Sequence, residues 1–371
     1  MKNVMSWIRV LLLNFFVLSG LLIAIEASLR LYWTARACYT NECDFSRLLN
    51  LEIYDDAFTE KNFGLSKYHE TVGYIPNPGF KSRINASGWD NILVTIDSEG
   101  FRATGVDNME ISDKRVILTI GDSFTFGDQV NDTETWPSCV ERRTNRKTLN
   151  AGVFGYGVAQ AVRRASLILK EKEVDTVILG ILIPYDFNRE RLVFKDGFPR
   201  PAVIQGENDL LYAEVPPIDS PGTKWKPDEL IRTLSVVKNS SMLLAHVLSS
   251  LGIDTTGMNR TEVHENAANI DKIVAFSIKE FSSLNVQNKF IVIQYLSKDL
   301  PNLNTEAERI KQMLLSEAQS AGIPVIDTYE RLLVEIPVSE KNIWYVLRGH
   351  HTAHGNDIVC DEIFQVIQTH N

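Results

Sequence analysis

Two short segments of this chain bring together residue types that do covalent chemistry. Val116–Gly127 reads VILTIGDSFTFG, a β-favouring run that ends at Ile120 and is followed at once by Gly121, Asp122 and Ser123. Gly121 permits a sharp turn. The Ser123 hydroxyl then stands at the carboxyl end of a strand, where unpaired N–H groups of the next helix can hold an oxyanion. A hydroxyl so placed is a candidate nucleophile; the plainer reading is a helix-opening turn with Asp122 or Ser123 as N-cap. Arg348–Phe364 reads RGHHTAHGNDIVCDEIF, with His350, His351 and His354 in a loop leading into a terminal helix. Three of seven histidines within five positions suggest a functional loop. His350 and His354 also stand at i,i+4, but no carboxylate or cysteine pattern completes a zinc site, so no metal and no cofactor is expected.

The elements that must position these residues alternate in kind. Short β-rich runs at 116–120, 148–153, 176–183, 290–295 and 325–327 are interleaved with stretches of helical period near 136–143, 158–172, 267–283, 305–321 and 352–367. Such alternation predicts an α/β fold, a doubly wound parallel five-stranded sheet wrapped by crossover helices. It occupies residues 111–371, with an insertion at about 189–265 marked by Pro199, Pro201, Pro216, Pro217, Pro221 and Pro227. Loops at the carboxyl ends of such strands form the ligand crevice, so the insertion is either a shaper of substrate access or a solvent-facing elaboration. Residues 34–110 read as an extension packing on the main domain, with turn signals at Pro76–Gly79 and an alternating strand through Ile92, Val94 and Ile96.

Residues 1–33 read as a membrane anchor. Val10–Ile25 carries no charge, and apolar character continues through Leu29, Leu31, Tyr32 and Trp33, enough for the roughly 20 residues a transmembrane helix needs. Tyr32 and Trp33 suit an interfacial belt. The alternative, a cleaved signal peptide, has a shorter apolar core and would leave only Ala35-Arg36-Ala37 as a cleavage signal. Lys2 and Arg9 before the span and Arg30 and Arg36 after it barely decide orientation. The four cysteines include Cys38 and Cys43, which an oxidising compartment would allow to pair and which are otherwise free thiols. Cys139 and Cys360 fall in helices expected to flank the first strand, facing each other. A formal net charge of −9 disfavours a nucleic-acid partner, and the short basic cluster Arg142–Lys147 closes a predicted helix, where cations suit the dipole.

The motifs resemble those of the SGNH/GDSL hydrolase family over nearly all of the chain beyond the anchor. GDSFTFG at Gly121–Gly127, with Glu134–Pro137 after it, is similar to the family's first block. NAGVFGYG at Asn150–Gly157 is similar to the second, with Gly155 at the position whose N–H joins that of Ser123 in the oxyanion hole. GHHTAHGN is similar to the last, with His350 at the catalytic histidine. The anchor and VTIDSEGFR at Val94–Arg102 are similar to membrane-anchored bacterial members.

Two positions depart from that pattern. Tyr185 stands where the third block has the asparagine that completes the oxyanion hole, and Asn188 could replace it only if the loop shifts. Leu347 and Arg348 stand where an aspartate would orient the histidine; a backbone carbonyl or a distant acid such as Asp327 is then needed. The resemblance implies a Ser123/His350 esterase or O-acyltransferase acting on an acylated glycan or lipid-linked sugar outside the cytoplasm, at the periplasmic or cell-surface side. The alternative is an inert relative that binds glycans or assists assembly in surface-polysaccharide biosynthesis.

Overall fold

In the computed structural model of the chain the described residues are 14, 17–28, 31–32, 65–86, 89–106, 113–195, 198–207, 209–217, 262–296, 298–300, 302–335 and 349–370. The chain divides into two compact units, Met1–Asp56 with Lys226–Asn259, and Ala57–Trp225 with Arg260–Asn371. In the first unit residues 17–28 are helical and expose Val17, Leu18, Leu21, Leu22, Ile23 and Ile25. No helix among the described residues is long and apolar enough to cross a membrane. Cys38 and Cys43 lie outside the described residues.

The second unit opens with two antiparallel hairpins, β1 (Ser66–His69) with β2 (Gly73–Pro76), and β3 (Lys81–Ala86) with β4 (Trp89–Thr95). There follow β5 (Asp113–Ile120), α1 (Ser123–Phe126), α2 (Trp136–Thr144), β6 (Arg146–Asn150), α3 (Val158–Ile168), β7 (Thr176–Leu182) and α4 (Tyr185–Arg189). The described part of the insertion contributes short strands β8 (Leu192–Lys195), β9 (Phe198–Pro199), β10 (Val203–Gln205), β11 (Leu210–Tyr212) and β12 (Glu262–Val263). The chain closes with α5 (Ile270–Ser282), β13 (Asn288–Gln294), α6 (Thr305–Ser320), β14 (Val325–Asp327), α7 (Tyr329–Glu335) and α8 (Ala353–His370).

The main sheet has five strands in the order β14-β13-β7-β5-β6, all parallel, as expected. Alternate residues of each strand point to opposite faces, and both faces are covered. Leu118, Ile120, Val177, Leu179, Ile291 and Ile293 join the core beneath α3, α5 and α6. Ile117, Ile178, Phe290 and Val292 join a second core with Trp136 and Val140 of α2 and Val359 and Ile363 of α8. That two-sided burial explains why these strands read as unbroken apolar runs. Helices α2, α5 and α6 start at side-chain caps: Thr135 accepts from Ser138 N at 3.2 Å, Asn269 from Lys272 N at 2.9 Å and Asn304 from Ala307 N at 2.9 Å. The described residues of the extension belong to the same core, through Val72, Tyr74, Trp89, Val94, Ile96 and Phe101.

Cys139 of α2 and Cys360 of α8 form a disulfide, with Cα atoms 6.1 Å apart. It ties two helices on one face of the sheet across 221 residues of chain. Closing so long a loop restricts the unfolded chain. Replacing both cysteines by alanine should cost about 2–4 kcal/mol in urea unfolding, and a reductant should lower native stability toward that of the double variant; unfolding curves that coincide would show the link to be neutral.

Candidate active site

The β5–α1 junction is built for a hydroxyl. Gly121 has φ 149°, and a Cβ there would come within 2.3 Å of Thr125 Oγ1 and 2.6 Å of Gly180 O, so only glycine lets the chain pass. Asp122 caps α1 by accepting from Phe124 N at 2.9 Å, and its other oxygen accepts from Arg189 Nη1 at 3.0 Å. With Asp122 engaged in this way, Ser123 takes the first helical position. Its hydroxyl lies 2.9 Å from His350 Nε2, across 227 residues of sequence. The candidate nucleophile and the candidate base are therefore in direct hydrogen-bond contact.

The histidine's other nitrogen finds an acceptor that differs from both expected kinds. Nδ1 lies 2.9 Å from Gln129 Oε1, so a side-chain carboxamide occupies the place foreseen for a carbonyl or a carboxylate. With Nδ1–H donating to that oxygen, Nε2 is left as the lone-pair nitrogen that can take the serine proton. Asp327 is engaged elsewhere, accepting from Tyr295 Oη at 2.6 Å and Tyr329 N at 3.0 Å and pairing with Lys311 Nζ at 2.6 Å. Leu347 and Arg348 lie outside the described residues.

Gln129 is held by its loop. After Gly127 (φ 86°) ends α1, Gln129 itself adopts φ 68°, a conformation uncommon for a side-chain-bearing residue and often associated with functional sites. The loop is wrapped around the buried guanidinium of Arg102. Its Nε donates to Asp132 Oδ1 at 3.0 Å, Nη1 to Gly127 O at 2.8 Å and Phe126 O at 3.4 Å, and Nη2 to Val130 O at 2.7 Å and Leu93 O at 3.3 Å. The VTIDSEGFR stretch presents this arginine: Asp97 Oδ1 accepts from Glu99 N and Phe101 N, both at 2.9 Å, and turns the chain just before Arg102.

Asp128, also missed in the sequence, sits beside the reacting pair. Its Oδ2 is 3.8 Å from His350 Nε2 and its side chain is buried. Burial pushes its carboxyl up to about 8, against the opposing pull of Arg102. His351 is buried edge-on against Phe124, and burial pulls its imidazole down to about 3, so it stays neutral. His354 is exposed. Among the described residues no group of three or more His, Cys, Asp or Glu side chains could hold a metal ion.

Gly155 has φ 72° in the turn after β6. Among the described residues neither its N–H nor that of Ser123 is spent on a protein acceptor. The side chains near the expected third donor are committed differently. Tyr185 Oη donates to Asp299 Oδ2 at 3.0 Å, and Asn188 Nδ2 donates to Pro184 O at 3.3 Å within its own short helix.

No family profile matches the chain, and no curated protein matches it. Solved structures similar to it are GDSL-type hydrolases. A member of the lipolytic protein G-D-S-L family from Veillonella parvula has 14% identity and TM-score 0.37, over 69% of this chain and 99% of that one. A lipase/acylhydrolase from Enterococcus faecalis has 15% identity and TM-score 0.34, over 69% and 96%. A variant of an acetyl xylan esterase from Geobacillus stearothermophilus has 14% identity and TM-score 0.36, over 70% and 97%. Likeness at this level carries no argument about activity; the site geometry must carry it.

Asp128 makes stability depend on pH. Its folded pKa of about 8 lies above the ordinary carboxylate value of 3.8, so between those values the native state holds more protons than the unfolded chain and loses stability as pH rises. Asp128→Asn removes that dependence while keeping the shape. The variant should gain on the native protein by on the order of a few kcal/mol between pH 4 and pH 8, measured by urea unfolding; parallel stability curves across that range would refute it.

Proposed function

We propose that the chain is a serine esterase or O-acyltransferase. The observation that carries the reading is the continuous relay from Ser123 Oγ through the His350 ring to Gln129, 2.9 Å at each step. Ser123 attacks an acyl carbonyl as His350 Nε2 takes its proton, and the N–H groups of Ser123 and Gly155 receive the oxyanion. Collapse expels an alcohol, protonated by His350, and leaves an acyl-serine. Water resolves it in a hydrolase, and an acceptor hydroxyl resolves it in a transferase. No step requires a cofactor.

The proposed substrate is an acyl ester of an extracytoplasmic glycan or lipid-linked sugar, supported by the sequence resemblance and the apolar N-terminal segment, which we propose as a membrane anchor. The Cys139–Cys360 disulfide is consistent with an oxidising compartment. A second reading, an inert protein that binds such glycans or assists their assembly, is favoured by Tyr185, which stands at the expected third-donor position and whose hydroxyl is spent on Asp299.

A fluorophosphonate separates the readings. The esterase reading expects a covalent adduct on Ser123, mapped by mass spectrometry and lost in Ser123→Ala; an unlabelled native protein supports the binder. Gln129 sets the rate within the esterase reading. Gln129→Ala frees the imidazole and should slow labelling on the order of 10²-fold. Gln129→Glu puts a charge opposite the developing imidazolium and should speed it about tenfold; equal rates in all three proteins would exclude Gln129 from the relay.

A further inference from the structure

Three consecutive carbonyls of the turn after β6 are each held by a donor from elsewhere in the fold. Phe154 O accepts from Tyr74 Oη at 2.8 Å, Gly155 O from Arg200 Nη1 at 2.5 Å, and Tyr156 O from Arg189 Nη1 at 3.1 Å. Tyr74 comes from the first hairpin, Arg200 from the insertion and Arg189 from α4. All three oxygens are thereby tied to donors by the fold.

The Phe154 carbonyl has a particular importance, because it shares its peptide unit with the Gly155 N–H. A trans peptide is planar and its C=O and N–H point in opposite directions, so a donor fixed on the oxygen aims the N–H. A hydrogen bond accepted by the carbonyl also polarises the unit and strengthens its N–H as a donor. We propose that Tyr74 is a positioning residue of the oxyanion hole, its hydroxyl on Phe154 O orienting and polarising the peptide whose N–H at Gly155 receives the negative charge. The inference rests on the esterase reading above and deepens it.

The placement of Tyr74 fits the role. It is 2% exposed, and its ring is fixed against Tyr156 edge-on at 5.2 Å and against Phe198 at 4.6 Å. Tyr156 Oη in turn donates to Tyr74 O. A Cβ on Gly155 would stand 3.1 Å from Tyr74 Oη, so the phenol lies directly against the turn it organises. With the Tyr185 hydroxyl committed to Asp299, the backbone donors carry more of the oxyanion, and the strength of the Gly155 N–H matters more.

The test uses the full chain, p-nitrophenyl acetate as substrate and phenylboronic acid as a probe whose tetrahedral serine adduct puts an oxygen in the hole. Tyr74→Phe keeps the ring and removes the donor. It should lower kcat about tenfold and weaken phenylboronic acid about tenfold, a fraction of the roughly 10²–10³ lost with a whole oxyanion donor. KM and the pH midpoint of the rate should stay unchanged. If that variant folds poorly, 3-fluorotyrosine in place of Tyr74, a more acidic donor of nearly the same shape, should raise kcat and tighten the boronate together. Rates and boronate affinities that ignore position 74 in a native chain that is labelled at Ser123 overturn this inference alone. A shift of KM or of the pH midpoint overturns it in favour of a purely structural tyrosine. A native chain that Ser123-directed fluorophosphonate leaves unmodified overturns the esterase reading itself.

Discussion

A guanidinium buried to 1% exposure must find partners for all five of its N–H groups within the protein, and Arg102 does so with one carboxylate and four backbone carbonyls. Three of those carbonyls belong to the turn that follows Ser123, at Phe126, Gly127 and Val130. The turn therefore cannot relax without leaving either a buried cation or inward-facing carbonyls unpaired, each a large loss in a dry interior. Gln129 is carried in that turn at a positive φ, a conformation that persists only where the surroundings over-determine it. The orientation of His350 thus traces back to an arginine more than twenty residues before the nucleophile.

The consequence for the chemistry is a relay with its charges rearranged. A carboxylate at Nδ1 both selects the tautomer and stabilises the imidazolium; an amide at the same place selects the tautomer but contributes no opposing charge. The carboxyl that is present, Asp128, lies on the Nε2 side instead, 3.8 Å from that nitrogen. Because burial raises it to about 8, it is largely protonated at neutral pH. The site at rest is thus short of negative charge next to the ring.

The sheet was legible because its strands are buried on both faces, and runs such as Val116–Ile120 and Thr176–Ile183 carry that burial in their composition. The Ser123 junction was legible for the same reason, since a strand that ends in Gly-Asp-Ser has few ways to continue. Cys139 and Cys360 followed from which helices flank the first strand. Strand ends were less visible: β6 stops at Asn150, although Ala151 N and Val153 N still reach Thr119 O and Gly121 O at 2.8 and 3.0 Å, because the chain is already turning toward Gly155. Gln129 was not visible at all. An acceptor for Nδ1 can come from any segment that folding brings near, and nothing about a glutamine between Asp128 and Val130 distinguishes it until Arg102 has shaped the turn. Tyr74 was hidden in the same way, since a buried aromatic in a hairpin reads as core.

These dependences share one feature: the two reacting side chains are fixed by contacts far apart in sequence. Ser123 and His350 are 227 residues apart, and bringing such distant groups together carries the entropy of a long loop. The disulfide lies in the helices that follow each of them, sixteen residues after Ser123 and ten after His350. While it is intact, opening of the terminal helix cannot carry His350 far from the cleft, because the effective loop to be closed is the short one through Cys139 and Cys360 instead of the whole intervening chain. Local opening of that segment therefore leaves the base close to its nucleophile in the oxidised protein. The same covalent tie that stabilises the fold thus acts selectively on the one site residue contributed by the end of the chain, whereas Gln129 and Gly155, which follow Ser123 within 32 residues, are held without it, the first in the turn around Arg102 and the second by Tyr74 and Arg200.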